Sequence, residues 1–222
     1  MRLRDINSIR EALKEGKVVR IYHSGSKDGR VAEILELARK AGVPIYRMKM
    51  KERVVAEVSP VKFASLDEIA NRALIKDTFI LFLNNVVDQR NIGACIRTAE
   101  FFGSAGVVIE KRGAGIAEGA VRASAGAIFH LPIARVENMA SALKKLKKFD
   151  FRIIAADLDG VDVTSVDLST PAALVIGGED RGISKPVKKR CDVVVKIPGL
   201  GRVSSLNLSV AAGIMMYELT SR

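Results

Sequence analysis

A chain of 222 residues has room for one large domain, or for a small unit joined to a medium one. With 48% hydrophobic and 27% charged residues it can build a proper core, which excludes wholesale disorder. A formal net charge of +11 and a pI near 9.8 suit a polyanionic partner such as nucleic acid, although cells rich in basic proteins offer a second explanation. Cys95 and Cys191 lack CxxC spacing, and His23 and His130 sit far from both in sequence. Neither a disulfide framework nor a metal site is expected. The opening MRLRDINSIREAL carries charges where a signal peptide needs an apolar run, and no window is long and apolar enough to span a bilayer. A reduced, cytoplasmic protein is expected.

In chain order, Asn7 or Ser8 can cap a short helix ending near Gly16, and Val18 to Tyr22 reads as a strand. Asp28 or Gly29 opens a helix with Val31, Ile34, Leu35 and Ala38 at helical spacing. Gly42 ends it, strand Ile45 to Met48 follows Pro44, and a further strand falls at Val54 to Val58. The stretch SLDEIANRALIK (65–76) turns polar and helical, which sets a boundary: residues 1–66 as a small unit, 67–76 as linker, 77–222 as a larger domain. Residues 1–76 hold 17 Lys+Arg against 10 Asp+Glu, and the remainder 19 against 15. The excess in the smaller part suits an RNA-docking module attached to a better balanced catalytic domain. From Phe79 onward, short β-branched runs at 79–83, 106–110, 152–158, 173–178 and 192–197 alternate with helical stretches at 91–102 and 138–148. This is the pattern of an α/β fold with a mostly parallel sheet covered on both faces. KKLKK (144–148) reads as a solvated helix face.

Three segments concentrate small and polar residues at the carboxyl ends of expected strands, where open α/β sheets bind ligands. In NNVVDQRNIGACIRTAEFFG (84–103), Asp88 or Asn91 can cap a helix, and Gly93 and Ala94 allow close packing. Arg97 either pairs with Glu100 on a solvated face or is aimed at a site; its apolar surroundings favour the site, with Asn91 converging near the helix N-terminus. In ALVIGGEDRGIS (173–184), Gly177 and Gly178 let a ligand approach the backbone, and Glu179 is a site carboxylate or an ordinary turn residue. Gly113, Gly115 and Gly119 lack the full dinucleotide-loop spacing and carry little weight. In IPGLGRVSSLNLSVAAGIMMYEL (197–219), Ser204, Ser205, Asn207 and Ser209 are more polar groups than one cap needs. The apolar helix Val210 to Leu219 suggests burial on several sides, including a subunit interface.

Taken in order, the three segments resemble the three motifs of the SpoU (TrmH/RlmB-like) family of SPOUT RNA 2′-O-ribose methyltransferases. The likeness covers roughly residues 77–222. One departure is Gln89, where the family commonly has proline, and it is expected to affect loop stiffness. The N-terminal third resembles more loosely a small substrate-binding domain similar to ribosomal protein L30e, through INSIREAL and RVVAEVSP.

The resemblance implies a SPOUT-type α/β knot, with a C-terminal trefoil that no periodicity argument could produce, and a small N-terminal α/β L30e-like domain. It implies S-adenosyl-L-methionine as cofactor, held by Gly177, Gly178, Ile197, Gly199, Gly201 and Leu206, and no metal. It also implies a homodimer with the site near the subunit interface, and an RNA substrate, ribosomal RNA before transfer RNA, with no DNA or membrane partner. The catalytic set it implies is Asn91, Arg97, Glu179, Ser205 and Asn207. Arg97 either activates the ribose as a base or acts as a fixed cation; the second is favoured because guanidinium stays protonated far above neutral pH. The competing function is a non-catalytic RNA-binding ribosome-assembly factor.

Overall fold

A computed structural model describes residues 1–112 and 115–221; Gly113 of the dinucleotide-like match lies outside them. The first unit runs β1 (Arg2–Leu3), α1 (Ile6–Lys14), β2 (Val18–His23), α2 (Gly29–Lys40), β3 (Ile45–Arg47) and β4 (Val54–Val58). Its sheet has the order β1-β4-β2-β3, parallel between β2 and β3 and antiparallel elsewhere. Asp28 caps α2 as expected. The cap of α1 is Asp5, not Asn7 or Ser8. Asp5 sits in extended backbone with its carboxylate on the Ser8 amide, whereas Ser8 is fully buried and donates its hydroxyl to Asp5 and Val121. Both helices pack on one face of the sheet, where Ile9, Val31 and Ile34 meet Ile21, Ala56 and Val58.

The second unit continues with α3 (Leu66–Lys76), β5 (Phe79–Asn84), α4 (Gln89–Phe101), β6 (Gly106–Glu110), α5 (Glu118–Ala123), β7 (Ile133–Val136) and α6 (Met139–Leu146). It closes with β8 (Arg152–Asp162), β9 (Ala172–Gly177), α7 (Lys185–Lys188), β10 (Val193–Lys196) and α8 (Leu208–Thr220). All six strands are parallel, in the order β10-β8-β9-β5-β6-β7. The chain winds outward through β6 and β7, returns to β8, and then inserts β9 between β8 and β5. Side chains of β5 alternate strictly: Phe79, Leu81 and Leu83 enter one core, Ile80 and Phe82 the other. This explains why the strand reads as one apolar run, since both faces are covered. Helices α4, α5 and α8 cover the first face, and α3 and α6 cover the second.

Four elements escape the sequence reading: β1, β7, α5 and α7. Strand β7 is short and follows a proline, and α5 hides in the glycine- and alanine-rich EGAVRA. Helix α8 also starts two residues earlier than Val210, because Asn207 caps it. The charged faces of KKLKK are solvent-exposed around a buried Leu146, with Lys145 paired to Asp67 and Lys147 to Asp192. Cys95 is fully enclosed, and burial pushes its thiol up to about 12. Among the described residues no helix is long and apolar enough to cross a membrane.

The two units share one continuous core. Helix α1 docks on α5 and the following turn, where His130 bonds Glu11 at 2.9 Å and Glu15 at 3.1 Å, and Arg4 pairs with Glu118 at 2.6 Å.

Helices α4 and α5 touch at Gly93: a Cβ there would collide with the Ala120 carbonyl of α5 and with Ala123. Alanine in a helix normally stabilises by roughly 0.5–1 kcal/mol over glycine. Gly93→Ala is expected to reverse that sign and to cost about 1–3 kcal/mol through overpacking. Urea unfolding followed by circular dichroism checks it, and a raised midpoint would contradict the packing described.

Candidate active site

The site is assembled where β9 and β10 end, beside the middle of β8. A cavity of about 660 Å³ is walled by these strands and by the irregular segment 198–206. Gly177, Gly178, Ile197, Gly199, Gly201 and Leu206 all line it, together with Ser205 and Glu179. Its apolar wall includes Leu158, Ile176 and Leu208. Among the described residues, nothing hydrogen-bonds to the main chain of 198–206, so its amides and carbonyls remain open to a ligand.

The glycines at 177 and 178 serve the fold as well as lining the cavity. A Cβ on Gly177 would strike Gly182 and Ile183, and one on Gly178 would strike the Asn85 carbonyl. Their bareness is therefore needed first for the chain to fold onto itself, with Gly182 in the left-handed region at φ 55°. Gly199 and Gly201 meet nothing within 4 Å of such a Cβ.

Beside the cavity lies an open cleft of about 600 Å³ between α4, α5 and the start of α8, lined by Asn91, Ala94, Arg122, Glu179, Asn207 and Ser209 among others. Glu179 belongs to both hollows. Its Oε1 accepts from Asn91 Nδ2 at 3.1 Å and from Asn207 Nδ2 at 2.9 Å, while Asn207 also reaches Asn91 Oδ1 at 3.4 Å. One carboxylate oxygen thus ties together all three segments singled out in the sequence. Asn207 has a second duty: its Oδ1 caps α8 by accepting from the amide and hydroxyl of Ser209. Asp88, not Asn91, caps α4, and the Arg90 amide holds the Asp88 carboxyl below its usual range. This leaves the Asn91 side chain free for the cluster.

Arg97 does not join it. Six residues beyond Asn91, it lies about 9 Å further along the helix and about 120° round it. It is exposed, lines neither hollow, and forms no ion pair among the described residues, with Glu100 or any other carboxylate. The expected convergence of Asn91 and Arg97 at the helix N-terminus is therefore absent within one chain.

Several residues that hold the site were not singled out. Asn84 is fully buried; its Oδ1 accepts from the Ser184 amide at 2.8 Å and its carbonyl from the Gly178 amide at 2.9 Å. Asn85, at φ 59°, donates through Nδ2 to the Gly182 carbonyl and through its amide to Glu110. The available signal was a pair of asparagines closing an otherwise apolar strand. Gln89 bonds both the Gly115 carbonyl (2.9 Å) and the Ala117 amide (2.8 Å), two contacts that proline could not make. Asp157, on the cavity wall, is bridged to Asp159 by Lys188.

Comparison with known proteins places this geometry. Residues 78–217 match the model of the SpoU rRNA methylase family, and residues 6–63 match that of an RNA 2′-O ribose methyltransferase substrate-binding domain. An uncharacterized tRNA/rRNA methyltransferase of Archaeoglobus fulgidus is 69% identical over 221 residues, covering 99% of this chain and 98% of that protein. A putative TrmH family tRNA/rRNA methyltransferase of Bacillus subtilis is 36% identical, covering 96% and 92%. Among solved structures, the SpoU methyltransferase AviRb from Streptomyces viridochromogenes in complex with AdoMet superposes with a TM-score of 0.85 at 27% identity, covering 100% of this chain and 89% of that one.

Because Glu179 Oε1 serves both asparagines, Glu179→Ala is expected to free three segments at once and to lower kcat/KM by about 10²-fold or more through lost positioning. Glu179→Gln, which keeps one acceptor oxygen, is expected to retain more. Steady-state kinetics of the two variants, with thermal melts to confirm folding, measure the difference.

Proposed function

The chain belongs to the SpoU rRNA methylase family and is a SpoU-type tRNA/rRNA methyltransferase, and from that premise we propose that it methylates a ribose 2′-hydroxyl of RNA, most readily in 23S ribosomal RNA. The observation that carries the reading is Glu179, which joins a cavity suited to a nucleoside to a cleft open to a polymer. The cavity fits S-adenosyl-L-methionine in size and chemistry: apolar walls suit the adenosyl ring, and free main-chain groups of 198–206 can read its edges. Gly177, Gly178, Ile197, Gly199, Gly201 and Leu206 would hold it. When bound, that cofactor supplies an electrophilic methyl group.

The protein's own residues then have three tasks. They must align the hydroxyl, take up its proton, and stabilise the charge that develops. Asn91 and Asn207 are oriented by Glu179 Oε1, and Oε2 of the same carboxylate has no bond among the described residues. That oxygen can accept from a hydroxyl, which a guanidinium cannot do. Ser205, on the cavity wall, supplies a further hydrogen bond near the hydroxyl.

Arg97 fits the role of a fixed cation better than that of a base. It shares an exposed stripe with Phe101, close in the fold to Tyr217 on α8, and these two aromatic rings are 79% and 56% exposed. Such an apolar face suits a homodimer, in which Arg97 lies at the subunit interface. The trefoil knot and the cytoplasmic setting expected of the family belong to the same reading. Ribosomal RNA is preferred over transfer RNA because the substrate-binding unit is present as well as the catalytic one.

The test combines calorimetry with chemical mapping. S-adenosyl-L-methionine is expected to bind, and RNA treated with the protein is expected to gain a site resistant to alkaline cleavage, the mark of a blocked 2′-hydroxyl. No binding returns the protein to an RNA-binding assembly factor, and a base-methyl product overturns the ribose assignment. Arg97→Lys is expected to lose most activity if the planar guanidinium matters; retention would remove that requirement.

A further inference from the structure

Among the described residues, one face of the first sheet is left partly open. Helices α1 and α2 both pack on its inner side, leaving Arg2, Arg20, Tyr22 and Tyr46 on the outer side. Tyr22 and Tyr46 are cross-strand neighbours and stack, with ring centroids 5.7 Å apart and planes 29° from parallel. Tyr46 is 49% exposed and Met48 50% exposed. The segment that follows β3 alternates apolar and basic residues, Tyr46-Arg47-Met48-Lys49-Met50-Lys51. Arg47, Lys49 and Lys51 form no ion pair among the described residues. The carboxylates in this region are already matched: Glu57 by Arg2 and Arg20, and Glu52 by Arg4. A stacked aromatic pair, exposed at Tyr46 and adjoined in the chain by Lys49 and Lys51, is chemistry that binds unpaired nucleic acid, by stacking of bases and neutralisation of phosphates.

This face is joined to the candidate active site by a run of hollows that share residues. A groove of about 300 Å³ beneath Tyr22, Met48 and Met50 also includes Arg4. Arg4 lines in turn a hollow of about 140 Å³ that reaches Glu118 and Arg122. Arg122 lines the open cleft with Asn91 and Asn207, and Glu179 links that cleft to the nucleoside-sized cavity. Arg4 is held across the two units by Glu52 and Glu118, whereas Arg122 has no ion pair among the described residues. The run of hollows therefore offers aromatic faces at one end, Arg4 among the carboxylates of Glu52, Asp5 and Glu118, then Arg122, and the reacting groups at the other end.

Resting on the reading of the protein as an RNA methyltransferase, we propose that the substrate RNA lies along this run of hollows within a single subunit, one unpaired base stacked on Tyr46 and a phosphate at Arg122. The outer face of the first sheet is thus the surface that recognises the strand flanking the target.

Fluorescence anisotropy of the full chain with a short unstructured RNA, and with a fully paired hairpin of equal length, tests this. Tyr46→Ala is expected to bind the unstructured RNA about tenfold more weakly, within the range for loss of one base stack, and Tyr46→Phe to bind it like the parent. Arg122→Ala is expected to weaken binding and to lower the salt dependence by about one counterion. S-adenosyl-L-methionine affinity, measured by calorimetry on the same variants, is expected to stay unchanged. If Tyr46→Ala binds the unstructured RNA as the parent does, or Tyr46→Phe fails as badly as Tyr46→Ala, the path is overturned while the methyltransferase reading stands. If the parent protein transfers no methyl group to any RNA, the reading itself fails, and the path with it.

Discussion

A single carboxylate oxygen, Glu179 Oε1, accepts from two asparagine amides that lie 88 and 28 residues away in the chain. Each donor is placed by its setting. Asn91 sits in the first turn of α4 and is released from capping by Asp88; Asn207 stands at the head of α8 and caps it with its other atom. The position of the carboxylate depends in turn on the turn after β9, which Asn84 and Asn85 clasp from the neighbouring strand. Loss of any of these contacts would loosen two helices and a loop together. For a reaction that needs three atoms in line, such joint positioning is worth more than the modest stability of the bonds themselves.

The insertion of β9 between β8 and β5 makes this meeting possible. It sets the turn after β9 inside the sheet, so residues 156–158 of β8 and the strand ends at 176–179 and 195–197 open onto one hollow. Gly177 and Gly178 permit the tight return of residues 178–184, and the left-handed Gly182 completes it. Ligand binding at the carboxyl ends of parallel strands then follows from the topology.

Much of this was legible in residue order. The apolar runs of β5, β6, β9 and β10 marked buried parallel strands, and the small and polar clusters after them marked the loops that form the cavity. What could not be read was which surface each residue faces. The convergence expected of Arg97 with Asn91 failed because six residues of helix carry a side chain well round the axis. Asn84 and Asn85 gave a faint signal, since a buried amide serving main-chain groups has no distinctive spacing. Gly177 and Gly178 were noticed for close approach, and the chain itself approaches them from one side. Strand β7 and helix α5 are too short to carry a period, and tertiary packing decides them.

The docking of the first unit has one last consequence. Its core runs without interruption into the second unit, and Arg4, Glu11 and Glu15 are fastened across the join. The tyrosine face and the reacting groups are therefore held at a set separation, as the marks on a ruler are. Under the proposed path, such a protein would select its nucleotide by counting along the strand from a landmark, and would pass over an RNA with the right target at the wrong interval.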